Sequence, residues 1–213
     1  MTINLKILKD IQNDLNSFPN SKLIIVSKNR SKDDIIKLLE IGYKDFGENR
    51  VQEAYGKFDF DLRKKFDKFK LHLIGPLQSN KTKLALQLFD TIQSLDRKKI
   101  IQSIAEESKK IANLRTKNYF IQVNIGYENQ KSGVLPGDTW ALIKYAKELD
   151  INVIGLMCIP PNTEVPKEYF QEMIKLKNLI DPNLLLSMGM SKDYKIALET
   201  GSNIIRIGSK IFQ

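Results

Sequence analysis

Leu23-Ile24-Ile25-Val26-Ser27-Lys28 is an apolar run of strand length that ends in a lysine. Late in the chain, Ser187-Met188-Gly189-Met190-Ser191 and Arg206-Ile207-Gly208-Ser209 each pass from an apolar run into a turn that contains glycine and serine. A lysine amine attacks aldehydes, and the free N–H groups of such turns bind anions. If the first strand lies beside the last one, the three segments together predict a site for an aldehyde that also carries a phosphate.

Strands and helices alternate through the whole sequence, because apolar runs of strand length recur eight times with helical spacing between them. Such an alternation predicts a parallel sheet with helices outside it. Eight strands is also the number that closes a (β/α)₈ (TIM) barrel, which places the first strand next to the last. An open doubly wound sheet is the alternative, and it would keep those two strands apart. The predicted strands are residues 23–26, 43–46, 70–74, 91–95, 119–124, 152–158, 184–188 and 203–207.

Helical spacing is clear in five segments, which are residues 3–18, 31–41, 98–114, 140–149 and 169–180. Within residues 31–41, Ile35, Leu38 and Leu39 fall on one helix face, and Ser31 stands where an N-cap is expected. Residues 3–18 predict an extra amphipathic helix before the first strand. The sequence contains no linker, repeat or low-complexity stretch, so we expect residues 1–213 to form a single barrel domain.

The composition is that of an ordinary globular protein with an excess of basic residues. The net charge is +9, from 34 Lys and Arg against 25 Asp and Glu. The basic residues are scattered over several segments, which favours solvated helix faces over nucleic-acid binding. No apolar run reaches the ~20 residues that span a bilayer, and the N-terminus lacks a signal-peptide core, so we expect a cytoplasmic protein with no membrane contact. Cys158, the only cysteine, is expected to be a buried and inert thiol.

The candidate site residues follow the predicted strands, whose carboxyl ends form the active face of such barrels. Burial of the Lys28 amine against apolar walls would favour its neutral, nucleophilic form, whereas the alternative is a lysine that simply reaches solvent. Ser191 is expected to precede a helix over residues 192–199, so that its hydroxyl and the helix N–H groups bind an anion. Gly208 and Ser209 add two backbone donors after the last strand, and two ordinary turns are the alternative.

Two further polar residues lie within or at the end of predicted strands. Arg206 is expected to enter the barrel mouth as a permanent hydrogen-bond donor, and the alternative is a salt bridge inside the barrel. His72 is the only histidine, and taken alone it is more typical of a strand histidine with satisfied hydrogen bonds than of a catalyst. No cluster of histidines or cysteines predicts a metal site, and no glycine-rich nucleotide motif is present.

Eight short motifs run in order through nearly the whole chain. They are Val26-Ser27-Lys28, Phe46-Gly47-Glu48-Asn49, His72-Leu73-Ile74-Gly75-Pro76-Leu77-Gln78-Ser79-Asn80-Lys81, Gln122-Val123-Asn124, Lys131-Ser132-Gly133, Gly155-Leu156-Met157, Ser187-Met188-Gly189-Met190-Ser191 and Arg206-Ile207-Gly208. Together they resemble the YggS/PROSC family of pyridoxal phosphate homeostasis proteins, and the long contiguous matches make the resemblance specific. The sequence departs from the family at Leu71, where tryptophan is frequent, and at Ser209, where threonine is common.

The resemblance implies a (β/α)₈ barrel of fold type III, like the N-terminal domain of alanine racemases, with pyridoxal 5′-phosphate as the cofactor. The implied cofactor-binding residues are Lys28, which forms a Schiff base (imine) with the aldehyde, Ser191, Gly208 and Ser209 around the phosphate, Arg206 facing the pyridine nitrogen, and Asn49 and Met157 near the ring. Because an arginine does not readily give up a proton, Arg206 would leave the ring nitrogen neutral and weaken the ring as an electron sink.

The family implies a role in the homeostasis of vitamin B6 without an established reaction. Racemases of this shape take a second proton-transfer group from an added β-domain of a partner subunit, and the sequence stops shortly after Arg206. We therefore expect a monomer that binds the cofactor without turnover. A pyridoxal-phosphate-dependent racemase or lyase is one alternative, and a phosphosugar aldolase with a Schiff-base lysine is another. Transfer of the cofactor to apoenzymes that depend on it is left open by the sequence.

Overall fold

A computed structural model of the chain describes residues 2–66, 68–163 and 165–212. The strands are β1 (Lys22–Val26), β2 (Asp45–Glu48), β3 (Lys70–Leu73), β4 (Thr91–Leu95), β5 (Asn118–Val123), β6 (Val153–Cys158), β7 (Leu185–Ser187) and β8 (Ile204–Ile207). The helices are α1 (Leu5–Asn16), α2 (Lys32–Glu40), α3 (Val51–Lys57), α4 (Phe60–Lys65), α5 (Thr82–Leu88), α6 (Lys98–Ser108), α7 (Thr139–Glu148), α8 (Pro166–Ile180) and α9 (Tyr194–Thr200). Within the described ranges, no helix combines the length and the apolar character needed to cross a membrane.

The strands close into a parallel barrel in sequence order. β1 pairs with β2 on one side and with β8 on the other, where Ile24 lies opposite Arg206 and Ile25 opposite Ile207. This pairing confirms the predicted (β/α)₈ barrel, and the open doubly wound sheet is wrong. Closure brings the carboxyl ends of β1, β7 and β8 together at one face of the barrel, which is where the candidate site was predicted.

The second strand lies two residues later than predicted, over 45–48 rather than 43–46. Gly42 takes a φ of 97° after α2, and the Tyr43 N–H donates to the Leu38 carbonyl at 3.0 Å. This is the Schellman arrangement that ends many helices, so Tyr43 belongs to the helix cap and not to the strand. The shift places Gly47 and Glu48 inside β2, whereas a strand that ended at residue 46 would leave them in the following loop.

The predicted helices are present with changes of length. Residues 31–41 become α2, where Ser31 and Asp34 form a capping box. Residues 98–114 are helical only as far as Ser108. Ile111 and Leu114, which prolonged the apolar pattern, pack against the core from the turn that follows. Apolar spacing therefore reported packing correctly in this segment but overestimated the helix length.

The extra helix before the first strand is confirmed as α1. Its apolar face buries Leu8, Ile11 and Leu15 against the barrel. The N–H of Asn4, which caps α1, donates to the Ile211 carbonyl at 2.8 Å. The start of the chain is thereby tied to the segment that follows β8, next to the candidate site.

Cys158 is the last residue of β6 and is fully buried. Burial raises the pKa of its thiol to about 12. The predicted burial is therefore confirmed, and a thiol that stays protonated at neutral pH is a poor nucleophile.

Candidate functional site

A cavity of about 630 Å³ opens at the carboxyl ends of β1, β6, β7 and β8. Five of the seven residues predicted to bind the cofactor line it, and these are Lys28, Ser191, Arg206, Gly208 and Ser209. Among the residues that the structure describes, the charged ones in its lining are the cations Lys28, Arg30, Lys131, Lys192 and Arg206 and the acid Asp193. The excess of positive charge suits an anionic ligand.

Lys28 stands at the rim of this cavity, two residues past the end of β1. Its side chain is exposed, which corrects the expectation that the amine is buried against apolar walls. The cause is local, because β1 ends at Val26 and the chain turns at Asn29, whose φ is 59°. The Lys28 amine forms no ion pair with any residue that the structure describes, and the hydrogen bonds that hold this segment are made by its neighbours Ser27 and Asn29.

The main chain before Lys28 is held by buried charges that the sequence analysis did not identify. Glu48, the last residue of β2, is fully buried and accepts a hydrogen bond from the Ser27 hydroxyl at 2.7 Å. Lys57, the last residue of α3, lies 2.6 Å from the Glu48 carboxylate and donates to the Ser27 carbonyl at 2.8 Å. The Ser27 hydroxyl and the Ser27 carbonyl are therefore both held by the Glu48–Lys57 pair.

Glu53 completes the group on the other side of Lys28. It pairs with Lys57 at 2.8 Å, and the same carboxylate oxygen accepts from the Asn29 N–H. We call Glu48, Glu53 and Lys57 the Lys28 clamp, because they hold the residue before Lys28 and the residue after it. Burial raises the pKa of the Glu48 carboxyl, although its two hydrogen-bond partners oppose the shift. The spacing of Glu53 and Lys57, one helical turn apart, was the available signal in the sequence.

Two turns meet at the cavity, one after β7 and one after β8. The Ser209 hydroxyl donates to the Ser191 hydroxyl at 3.0 Å, so the two predicted segments lie side by side. The N–H groups of Ser191, Lys192, Ser209 and Lys210 donate to no main-chain carbonyl of the described residues. Hydroxyls and uncommitted N–H groups on adjacent turns supply the donors that a phosphate group requires.

The helix after β7 begins later than predicted. α9 starts at Tyr194 with Asp193 as its N-cap residue, so the prediction that Ser191 precedes a helix over 192–199 is wrong. The Asp193 carboxylate accepts from the Met190 N–H at 2.6 Å and closes a turn after Gly189, whose φ is 94°. Glycine adopts this conformation without strain. Ser191 therefore lines the cavity from a turn and not from a helix terminus.

Gly208 is required by the close approach of β8 to β1. A Cβ atom at this position would lie 2.9 Å from the Val26 carbonyl oxygen and 3.0 Å from the Val26 Cβ. Any larger residue would push the two strands apart at the end that carries Lys28 and Ser209. The glycine thus serves the closure of the barrel as well as the turn.

Arg206 is the buried cation of the site. Its Nη1 donates to the Ser187 hydroxyl at 2.7 Å and its Nη2 to the Cys158 carbonyl at 2.8 Å. Burial lowers the pKa of the guanidinium, but an arginine keeps its proton at physiological pH. No acid among the described residues forms a salt bridge with it, so the alternative of a salt bridge inside the barrel is wrong. Two of the five guanidinium N–H groups are used by these partners, and the residue still lines the cavity.

Asn49 and Met157 do not line this cavity. Asn49 follows β2 and lines a neighbouring cavity of about 850 Å³, together with Asn29. Met157 is fully buried in the barrel interior, where it packs in a cluster with Ile24 and Phe120. Contact of Asn49 or Met157 with a ligand therefore stays a prediction.

The sequence is related to known proteins along almost its entire length. Residues 4–213 match the family described as the N-terminal domain of alanine racemase. Over 201 residues the chain is 38% identical to the pyridoxal phosphate homeostasis protein of Pasteurella multocida, an alignment that covers 90% of this chain and 85% of its relative. The chain belongs to the family of pyridoxal phosphate homeostasis proteins. The homeostasis protein of Aquifex aeolicus is 37% identical over 207 residues, which cover 90% of this chain and 86% of that one.

A solved structure of a related protein has the same fold. PipY of Synechococcus elongatus PCC7942, in a structure without pyridoxal phosphate, matches with a TM-score of 0.81 and 30% identity over 94% of this chain and 99% of its own. A second structure of PipY contains bound pyridoxal phosphate and matches with a TM-score of 0.79 and 29% identity over the same shares of the two chains. PipY therefore binds this cofactor on a barrel that closely resembles the one described above.

More distant enzymes share the barrel as part of a larger chain. An alanine racemase of Clostridium difficile 630 matches with a TM-score of 0.69 and 17% identity, over 98% of this chain and 57% of the racemase. At this identity the likeness shows the fold alone. The predicted likeness of the barrel to that of the alanine racemases is confirmed.

Proposed function

We propose that this homeostasis-family protein binds pyridoxal 5′-phosphate covalently through Lys28 and takes part in maintaining the intracellular pool of that cofactor. The observation that carries the proposal is the single cavity at which Lys28, Arg206 and the two serine turns meet. The names of the relatives and the cofactor bound to PipY support the same ligand. We extend the proposal to a cytoplasmic location, which the bacterial homeostasis proteins among the relatives support.

The residues that line the cavity fit the cofactor group by group. The aldehyde requires an amine, which Lys28 supplies from an exposed position at the rim. The phosphate requires donors and positive charge, which the turns at Ser191 and Ser209 supply in a cationic cavity. The pyridine nitrogen requires a hydrogen-bond donor, and Arg206 is a buried group that only donates. When bound, the cofactor would supply an electron sink, which an arginine beside its ring nitrogen weakens.

The residues of the chain itself have separate tasks in this binding. The Lys28 amine attacks the aldehyde carbon, and a C=N bond replaces the C=O bond with release of water. The Lys28 clamp fixes the main chain on both sides of that amine, which limits the positions it can take and favours attack on a bound aldehyde. The serine turns anchor the opposite end of the ligand.

Turnover of amino acids is not part of the proposal. A racemase requires a proton-transfer group on each face of the substrate. Two titratable residues of the cavity lining are already engaged, because Lys131 pairs with Glu128 and donates to the Pro160 carbonyl at 2.9 Å, and Asp193 accepts from the Met190 N–H. These contacts leave fewer groups of the lining for a second proton transfer, which favours a binding protein over a two-base enzyme.

The proposal is tested by an absorption spectrum of the purified protein with pyridoxal 5′-phosphate, followed by borohydride reduction and mass mapping of the adduct. We expect a visible band in the wild-type protein, an adduct on the peptide that contains Lys28, and loss of both in Lys28→Ala. Lys175→Ala, which changes an exposed lysine of α8, is the matched control and should keep both. A wild-type protein that takes up no cofactor, or an adduct on another lysine, would contradict the proposal.

Two further measurements separate the alternatives. Exchange of the α-hydrogen of an amino acid with heavy water, dependent on Lys28, would show a racemase or lyase. A protein that takes up no pyridoxal phosphate and is trapped by borohydride with a sugar phosphate would be an aldolase. We expect neither result, since the relatives carry the homeostasis name.

The proposal includes transfer of the cofactor from a monomer to apoenzymes that depend on it. The exposed position of Lys28 at the cavity rim supports transfer, because the C=N bond lies within reach of water or of an incoming amine. The test is the rate at which the loaded protein activates an apoenzyme, compared with its spontaneous release of cofactor into a trap. Equal rates would exclude direct transfer. The oligomeric state is a separate question, and light scattering of the same sample measures it.

A further inference from the structure

A row of buried polar side chains crosses the interior of the barrel from the candidate site to its opposite face. We call it the polar row, and its members are Arg206 on β8, Ser187 on β7, Gln93 on β4, His72 on β3 and Asp45 on β2. Successive members lie 2.7, 2.6, 3.4 and 3.0 Å apart through their polar atoms. Asp45 also accepts from Lys22 at 2.7 Å, and both residues begin their strands. The proposed function uses only the Arg206 end of this row.

The two ends of the polar row fix the direction of every hydrogen bond in it. Arg206 can only donate, so the Ser187 oxygen accepts from it, and the Ser187 hydroxyl hydrogen is given to Gln93 Oε1. At the other end, an ionised Asp45 can only accept, so His72 donates from Nε2. The Gln93 amide nitrogen is then left to donate to His72 Nδ1, which is the one remaining acceptor. All four bonds therefore run from the guanidinium towards the carboxylate.

The opposite arrangement is unfavourable at both ends. A proton on His72 Nδ1 would face the amide hydrogens of Gln93 and would force that amide to turn over. The Gln93 amide nitrogen would then face the Ser187 hydroxyl and compete with Arg206 as a second donor to it. Burial also lowers the pKa of His72 and favours the neutral ring, against the opposing effect of Asp45.

We propose that His72, as the neutral Nε2–H tautomer, is a positioning residue that aims the Arg206 guanidinium through Gln93 and Ser187. The Cys158 carbonyl holds one nitrogen of the guanidinium, and Ser187 holds the other. Ser187 accepts well from Arg206 because its own hydrogen is committed to Gln93, and Gln93 keeps that orientation because its amide donates to His72. The inference rests on the proposed function in one respect, since the ligand that Arg206 meets is taken to be the pyridine ring of the cofactor.

The tautomer is measurable without any cofactor, because His72 is the only histidine of the chain. The nitrogen chemical shifts of one imidazole ring in a ¹⁵N-labelled sample report which nitrogen carries the hydrogen. We expect the Nε2–H form at neutral pH. The Nδ1–H form, or a charged ring, would overturn the inference even if the protein binds the cofactor as proposed.

Two substitutions of His72 test separately its contact with Gln93 through Nδ1 and its contact with Asp45 through Nε2. His72→Asn places an acceptor oxygen near the position of Nδ1 and keeps the contact with Gln93, whereas His72→Gln reaches towards Asp45 and leaves Gln93 without its acceptor. We expect the dissociation constant for pyridoxal 5′-phosphate to stay within about twofold in His72→Asn and to rise by about three- to tenfold in His72→Gln, the size of one hydrogen bond. Equal affinity in both variants and the wild type would overturn the inference, as would an equal loss in both.

A combined variant distinguishes positioning from a general effect on the fold. In the Arg206→Gln background, His72→Gln should weaken cofactor binding no further, because the residue it acts through is gone. The same fold-loss in both backgrounds would show a structural role and overturn the inference. If His72→Gln folds poorly, Ser187→Ala is the substitute test, because it removes the acceptor that Arg206 uses. We expect Ser187→Ala to show a loss of affinity of about three- to tenfold, as is expected for His72→Gln. Failure of the proposed function is recognised separately, since the wild-type protein would then form no adduct at Lys28.

Discussion

At the scale of single residues, the candidate site combines one exposed amine with one buried guanidinium. Lys28 is exposed at the rim, whereas Arg206 is buried and anchored by Ser187 and Cys158. The exposed residue can move to meet an aldehyde and the buried one cannot, so the two should contribute differently to binding. Lys28 determines whether the covalent bond forms, and Arg206 determines how well the ring is held.

We expect Arg206→Gln to weaken retention of the cofactor while the covalent bond at Lys28 still forms. Ser191→Ala should have a smaller effect, since a single hydrogen bond to a charged group is worth about 1.5–3 kcal/mol and the Ser209 hydroxyl, only 3.0 Å away, remains. The measurement is the dissociation rate of the cofactor into a trap, with the visible band read at time zero. Unchanged retention in Arg206→Gln would count against its place beside the ring.

Four of the residues found from the sequence share one property, which is that each follows an apolar run. Lys28, Ser191, Gly208 and Ser209 stand out because polar groups after buried strands have no role in the core. Glu48 was missed for a different reason, because with the end of β2 set two residues too early it reads as an ordinary loop acid and not as a buried strand residue. Its burial becomes visible only when Lys57 is known to lie beside it.

At the scale of elements, the Lys28 clamp joins β2, α3 and the loop after β1, which are adjacent in the barrel. Glu48 ends β2, Lys57 ends α3, and both contact the loop after β1. A buried pair of this kind adds little net stability, but removing one partner leaves a charge without compensation in the interior. The element boundaries were the weakest part of the sequence-based prediction, because helix caps such as the one at Gly42 and Tyr43 consume residues that look like strand.

We expect Lys57→Met to lower the free energy of unfolding by about 3 kcal/mol, the usual cost of breaking a buried ion pair. Burial raises the pKa of the Glu48 carboxyl, and Lys57, which opposes this rise, is gone in the variant. Protonation then removes the uncompensated charge, so the difference in unfolding free energy from the wild type should shrink as the pH falls from 7.5 to 5. The measurement is urea unfolding at pH 7.5 and at pH 5. Lys175→Met, which breaks an exposed pair with Glu172, is the control and should cost less than about 0.5 kcal/mol. Equal effects of the two substitutions would show that burial of the clamp has no energetic consequence.

At the scale of the whole molecule, closure of the barrel is what places the candidate site. The eightfold alternation predicted closure, and the pairing of β1 with β8 follows from it. The polar row was not predictable, because it depends on which residues of five strands point inwards and meet across the interior. The register of the strands decides which residues point inwards. A strand that is buried on both faces is apolar throughout, so its sequence pattern does not specify that register.

The polar row makes the stability of the whole fold depend on pH. Burial lowers the pKa of His72 below the value of 6.5 that applies in an unfolded chain. Between its folded pKa and 6.5, the unfolded chain therefore binds a proton that the native protein does not bind, and the native state loses stability as the pH falls. The charged and titratable groups that face the ring are Asp45 on β2, Lys22 on β1 and Asp90 before β4. Although burial opposes it, contact with His72 and Lys22 lowers the pKa of Asp45, so its carboxylate stays ionised throughout this range.

We expect the free energy of unfolding of the wild-type protein to fall below pH 6.5 by up to about 1.4 kcal/mol per pH unit, which is the limit for one proton. His72→Gln removes the titrating ring, so its stability should change less between pH 7.5 and pH 5.5 even if the variant is less stable at both. The measurement is urea unfolding of both proteins at these two pH values, compared as differences, so that the remaining carboxyl groups contribute equally to both. Parallel losses in the two proteins would mean that His72 is protonated as easily inside the barrel as in water, so that burial does not favour its neutral form.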